Sequence, residues 1–144
     1  MSIKLFIASV LLLVSAFLQA DTLKAFTSDG CSVFPDGTMD QKSLWLACCQ
    51  YHDFDYWQGG TYQQRLASDK RLKECVIQVG EPTIAALMLA GVRIGGTPYL
   101  PTSFRWGYGW SYPRLYGVLS IEELAQVAKF STHLQFKDKN LKNR

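Results

Sequence analysis

Residues 45–57, WLACCQYHDFDYW, decide the fold, because this stretch places two adjacent cysteines three residues before a His-Asp pair. Two cysteines in succession do not readily pair with each other. Neighbouring side chains on a helix point about 100° apart, so Cys48 and Cys49 must face different partners. The stretch therefore predicts one helix that is braced from two sides.

Helix signals surround this stretch. A capping-box pattern precedes it and Gly59-Gly60 follows it, which predicts a first helix over residues 39–57. A second capping pattern predicts a second helix to about residue 79. One face of this helix is apolar except for Asp69, and a carboxylate on a buried face is costly unless it is paired. The capping pairs are Thr38 with Gln41 and Thr61 with Gln64.

The short connection at Gly59-Gly60 predicts that the two helices run antiparallel. Facing residues of an antiparallel pair have sequence numbers with a nearly constant sum. The sums for Cys48 with Cys75 and for His52 with Asp69 differ by two residues, which is about 3 Å along a helix. One register therefore aligns a cross-link and a His-Asp pair.

The cysteine count indicates two disulfides, since the chain has four cysteines and carries an export signal. Four cysteines allow three pairings, and the helix register favours Cys48–Cys75. Cys49 is then left for Cys31, which predicts the bridge Cys31–Cys49.

Further helices follow the pair. Pro82 suits the first position of a third helix, which we expect to end at residue 94. Ser120 with Glu123 is a capping pattern for a last helix to about Phe130. The chain between them is rich in aromatics, Gly and Pro and predicts a long irregular loop. The fold class is therefore all-α, with two antiparallel disulfide-linked helices carrying the site.

The residues around the His-Asp pair suggest a hydrolytic site. Asp69 fixes the tautomer of His52, which then acts as a general base toward water. Tyr56, one turn later, hydrogen-bonds Asp69. The bridge to Cys49 brings the loop with Asp29 beside Asp53, and oxygen-only ligands of this kind predict Ca²⁺.

The stretches SDGCSVFPDG and ACCQYHDFDYW resemble the secreted phospholipases A2, and most closely the shorter bacterial and fungal type. The resemblance implies that His52 is the base and Asp69 its partner, with Tyr56 in support. It implies that the calcium ligands are Asp29, Asp53 and the carbonyl of Gly30. The implied reaction is calcium-dependent hydrolysis of the sn-2 ester of a glycerophospholipid at a membrane surface. The resemblance covers residues 27–79.

Plainer interpretations exist for each of these residues. His52 is then an ordinary interhelical histidine, and Asp29 and Asp53 are surface carboxylates. Asp69 is then the ion-pair partner of a nearby arginine such as Arg65.

These plainer interpretations correspond to other possible functions. The alternatives to the hydrolase are a non-catalytic lipid- or protein-binding module on the same scaffold, and an esterase that acts on other lipids. A zinc site fits poorly, because the only other histidine is His133. Oxidised cysteines likewise exclude a cysteine nucleophile.

The aromatic loop offers a candidate lipid contact. Its tryptophans can seat at a headgroup surface while its arginines meet phosphates. The alternative is that the loop packs over the helix pair. The residues concerned are Arg105, Trp106, Trp110 and Arg114.

The first 20 residues are typical of a secretory signal peptide, with Lys4, an apolar run over residues 5–17 and Ala20 before a charge. Leu18 is not the small residue that cleavage prefers, and a retained anchor or buried helix is the alternative. We expect a secreted or periplasmic protein with no membrane span in the mature chain.

The mature chain is expected to be one domain, residues 21–136, followed by a basic flexible tail, residues 137–144. The formal charge is +3, and +2 without Lys4. This charge is too small to indicate a nucleic-acid partner. We expect a monomer.

Overall fold

A computed structural model describes the backbone of residues 21–142 and the side chains of residues 21–131. The predicted signal peptide, residues 1–20, lies outside the described residues. The described chain contains four helices and no strand, which confirms the all-α class. The helices are α1 (Leu46–Gln58), α2 (Tyr62–Gln78), α3 (Pro82–Gly95) and α4 (Ile121–Lys142).

The predicted start of the first helix is wrong. The capping pair is present, with the Gln41 N–H donating to Thr38 Oγ1 at 2.9 Å, but it stabilises a turn. Trp45 then fixes where α1 begins. Its backbone N–H donates to Asp36 O at 3.1 Å and its indole N–H to Pro35 O at 2.6 Å. These contacts hold the preceding chain as a loop.

The other two capping predictions are confirmed. The Gln64 N–H donates to Thr61 Oγ1 at 3.2 Å, and the Thr61 N–H donates to Gln64 Oε1 at 2.7 Å. Ser120 and Glu123 exchange the same two bonds at 3.2 and 2.8 Å. However, α4 continues past the predicted end near Phe130 and includes most of the predicted basic tail.

Both predicted disulfides are confirmed. Cys48–Cys75 joins α1 to α2, and Cys31–Cys49 joins the loop before α1 to that helix. The bridges border a core that also contains buried residues of α2 and α3. The remaining buried members of this core are Trp45, Leu72, Val76, Ala85 and Met88.

The end of α1 is completed by the chain between α3 and α4, residues 96–120, which has no regular secondary structure. The last carbonyls of a helix have no partner within it. Here backbone and indole N–H groups of this aromatic segment supply those partners. The bonds to the helix are Gly107 N to Tyr56 O (2.6 Å), Gly109 N to Trp57 O (3.0 Å) and Trp110 Nε1 to Gln58 O (2.8 Å). Just after the helix, Trp106 Nε1 donates to Gly60 O at 2.9 Å.

This packing corrects the predicted lipid contact. Trp106 and Trp110 are 1% and 0% exposed. Arg105 is also buried, and it donates to Trp110 O at 2.8 Å. Arg114 lies over the Trp110 ring and forms an ion pair with Glu123. These four side chains are engaged in contacts within the segment and with the neighbouring chain, and so are not presented to a membrane.

Across residues 21–142, no helix combines the length and the apolar character needed to cross a bilayer.

Removing either disulfide is expected to destabilise the fold. The bridges span 18 and 27 residues, and each loss should lower the free energy of unfolding by about 2–4 kcal/mol. Urea titrations of two variants test this, each variant having both cysteines of one bridge replaced by alanine. Loss of Cys31–Cys49 should also speed tryptic cleavage at Lys42, in the loop it holds, more than loss of Cys48–Cys75. Unchanged unfolding midpoints in both variants would contradict the expectation.

Candidate active site

The predicted His-Asp pair is formed. His52 Nε2 lies 3.0 Å from Asp69 Oδ1, and the Tyr56 hydroxyl donates to the same oxygen at 2.7 Å. His52 and Tyr56 lie one turn apart on α1, and their rings are 4.1 Å apart between centroids. Asp69 is 0% exposed. The register inferred from residue numbers thus brings His52 to Asp69, and Tyr56, one helical turn after His52, reaches the same carboxylate.

An arginine that the sequence did not indicate occupies the other side of Asp69. Arg93 Nε lies 2.7 Å from Asp69 Oδ2, although this approach lacks the alignment of a good hydrogen bond. Arg65, the arginine named as an alternative partner, does not pair with Asp69. Its Nε donates to the Tyr56 hydroxyl at 3.0 Å. The acid therefore has both a histidine and an arginine as neighbours.

Arg65 instead joins α2 to the end of α3. Its Nη2 donates to Val92 O at 2.7 Å and to Arg93 O at 2.9 Å, and its Nη1 donates to the Tyr116 hydroxyl at 2.7 Å. Burial and the nearby Asp69 raise the pKa of Tyr56. Tyr56 therefore stays a neutral hydroxyl that donates to Asp69 and accepts from Arg65.

A cleft of about 440 Å³ opens beside His52. Its walls come from α3 and from the loop around Cys31, and they are mostly apolar. Val33 and Ile94, which are among the lining residues, are 92% and 78% exposed. Its polar residues include His52, Asp53 and Tyr56, which lie together on α1. The cleft thus offers an apolar volume with a histidine at its wall.

Asp53 also borders a second, smaller cleft of about 150 Å³, which Asp29 lines as well. Ser28 Oγ donates to Asp53 Oδ2 at 2.6 Å, and Ser32 Oγ donates to Asp29 Oδ1 at 3.0 Å. Gly30 has φ +79°, and the Asp36 carboxylate occupies the position that a Cβ on Gly30 would need. The loop therefore brings several oxygen atoms toward Asp53.

The surroundings of Asp53 disfavour the anionic form of its side chain. Burial above all, together with the nearby charges of Asp29 and Asp36, raises its pKa to about 7 against the opposing effect of the hydrogen bond from Ser28. A bound cation offsets such mutual repulsion of carboxylates.

The donor chemistry suits a hard cation, since the groups around Asp53 and Asp29 are carboxylates, hydroxyls and carbonyls. In the part of the chain whose side chains are described, no group of three or more His, Cys, Asp or Glu side chains is arranged to hold a metal ion. A Ca²⁺ ion here would therefore need backbone carbonyls such as that of Gly30, and water, besides the two acids.

Comparisons with known proteins found no relative. No protein-family model, curated protein or solved structure matches this chain.

Replacing Tyr56 with Phe should destabilise the protein. The change removes the hydroxyl that lies between Asp69 and Arg65, and we expect a loss of about 1–3 kcal/mol in the free energy of unfolding. Tyr51→Phe is the matched control, because this tyrosine lies on the same helix and is 75% exposed. Urea titrations that give equal losses for the two variants would contradict the bridging role.

Asp53 should make stability depend on pH in the presence of a chelator. Its ordinary pKa is 3.8 and its pKa in the fold is about 7, so ionisation of Asp53 disfavours the folded state between these values. Its contribution is most favourable below pH 3.8 and is lost as the pH rises through 7. Asp53→Asn should therefore gain stability relative to wild type across this range. A difference in unfolding free energy that does not change between about pH 4 and pH 8 would contradict this.

Proposed function

We propose that this protein is a calcium-dependent hydrolase of the sn-2 ester of glycerophospholipids. The observation that carries the proposal is the buried His52–Asp69 pair at the wall of an apolar cleft, with Asp53 next to it in sequence and in the lining. A general base, a hydrophobic binding volume and a carboxylate for a cation are the three parts that such a reaction needs.

His52 serves as the base. Because Nε2 faces the anionic Asp69, the ring hydrogen belongs on Nε2 and leaves Nδ1 free of hydrogen. Nδ1 then accepts the proton of a water molecule as that water attacks the ester carbonyl. Asp69 holds the ring in orientation and stabilises the positive charge that forms on it, and Tyr56 keeps the Asp69 carboxylate in place.

Asp53, Asp29 and the Gly30 carbonyl are the residues that would hold calcium. When bound, Ca²⁺ supplies positive charge that polarises the ester carbonyl and stabilises the oxyanion. The chain's own contribution is to bring these oxygen atoms near His52. The Cys31–Cys49 bridge attaches the loop of Asp29 and Gly30 to α1 three residues before His52.

The cleft favours a lipid over a small polar ester. Its walls are apolar, and exposed apolar side chains border it, so that a chain leaving a lipid aggregate stays in contact with hydrocarbon. Among the described residues, its lining includes no lysine or arginine. The exposed apolar lining residues are Val33, Leu87 and Ile94.

Hydrolysis of a phospholipid labelled in its sn-2 chain tests the proposal. Wild type should release the labelled acid with Ca²⁺ and lose this activity in EGTA. His52→Gln should lower kcat by about 10²–10⁴-fold. Asp53→Asn should also lose activity, whereas Asp55→Asn, which removes an acid two residues away that pairs with Arg71, should not.

Each failure has a distinct meaning. Activity that persists in EGTA and in both site variants would contradict the mechanism. Vesicle binding with no acid released would replace the hydrolase by a lipid-binding module. Cleavage of other lipid esters alone would keep the esterase and reject its phospholipid substrate.

A further inference from the structure

Asp69 is a fully buried carboxylate whose negative charge needs compensation. Among the side chains that the structure describes, three approach it, namely His52, Tyr56 and Arg93. Tyr56 is neutral, and His52 must be neutral before it can act as a base. Arg93 is thus the permanent cation in direct contact with the acid, and a buried anion without a countercharge is strongly disfavoured.

Arg93 is itself held at both ends. Its backbone carbonyl accepts a hydrogen bond from Arg65 at 2.9 Å. Its Nη2 donates at 3.1 Å to the carbonyl of Leu66, a residue one turn before Asp69 on α2. The guanidinium is therefore held between a backbone carbonyl of α2 and the carboxylate, with its Nε 2.7 Å from Oδ2.

We propose that Arg93 is a positioning residue for this site, an inference that rests on the proposed hydrolase. Arg93 holds Asp69 Oδ2 and supplies its countercharge, and this keeps Oδ1 directed at His52 Nε2. A cation near Asp69 also weakens the attraction between Asp69 and a protonated His52. Because His52 contacts Oδ1 and Arg93 contacts Oδ2, the contact that orients the histidine ring is kept despite this weakening.

Without Arg93 the carboxylate has only neutral partners in the resting site. Its oxygens then turn toward other donors, and that change removes the hydrogen bond that orients His52. The reaction loses its oriented base, while the cleft that binds the acyl chain is unchanged. The loss should therefore fall on kcat and not on KM.

Steady-state kinetics of Arg93→Gln and Arg93→Lys test this, each also combined with Asp69→Asn. Arg93→Gln should lower kcat about tenfold or more with KM nearly unchanged. Arg93→Lys should recover part of this loss, since it keeps the charge but not the planar fork. In the Asp69→Asn background, Arg93→Gln should have less than about a twofold further effect.

Arg71→Gln is the matched control. Arg71 lies on α2 and forms an ion pair with Asp55 at 2.6 Å. Its side chain is 60% exposed and does not contact Asp69. Its replacement should leave kcat unchanged. Proton NMR gives a readout that does not depend on turnover. The Nε2–H resonance of His52, assigned with His52→Gln, should persist in Arg71→Gln and be lost or broadened in Arg93→Gln.

The outcomes separate this inference from the proposed function. An active wild type with an equally active Arg93→Gln overturns the inference alone. If Arg93→Gln causes an equal loss of activity in the wild-type and Asp69→Asn backgrounds, with a lowered Tm and an intact His52 resonance, the inference is also overturned and the arginine is purely structural. A wild type that hydrolyses no phospholipid under the conditions above overturns the proposed function and this inference with it.

Discussion

The buried carboxylate of Asp69 is the constraint on which the arrangement of the helices depends. A charge with no exposed surface must be matched from within the protein. Its partners come from the two helices beside α2, since α1 provides His52 and Tyr56 and α3 provides Arg93. A shift of either neighbouring helix removes a partner, so one anion fixes the relative positions of three helices.

The two ends of α1 are stabilised by different means. At the N-terminal end, disulfides and the contacts of Trp45 bind the helix to the preceding loop and to α2. At the C-terminal end, segment 96–120 supplies hydrogen bonds to carbonyls that the helix leaves unpaired. His52 lies between these two restraints, and Tyr56 lies at the second of them. Rigid support on both sides is what an oriented base requires.

Much of the helix pair was predictable, because short-range rules govern it. Capping pairs placed the start of α2, and the antiparallel register aligned both the Cys48–Cys75 bridge and the His52–Asp69 pair. Arg93 was not predictable in this way. Its distance from Asp69 depends on how α3 crosses α2, and no register rule connects those helices. The prediction of where α1 begins was wrong for a similar reason, because contacts of Trp45 with residues distant in sequence outweigh the local capping pattern.

The packing of the aromatic segment was also not predictable from local sequence rules. Alternating tryptophans and tyrosines indicate either a membrane surface or a self-packed loop, and only the carbonyls at the end of α1 decide between them here. The burial of the tryptophans also determines what intrinsic fluorescence can measure in this protein. All four tryptophans are buried, at 0–3% exposure, and none is placed to enter a bilayer. Intrinsic fluorescence of this protein therefore reports whether α1 and its surroundings are folded, and lipid association needs a probe attached elsewhere.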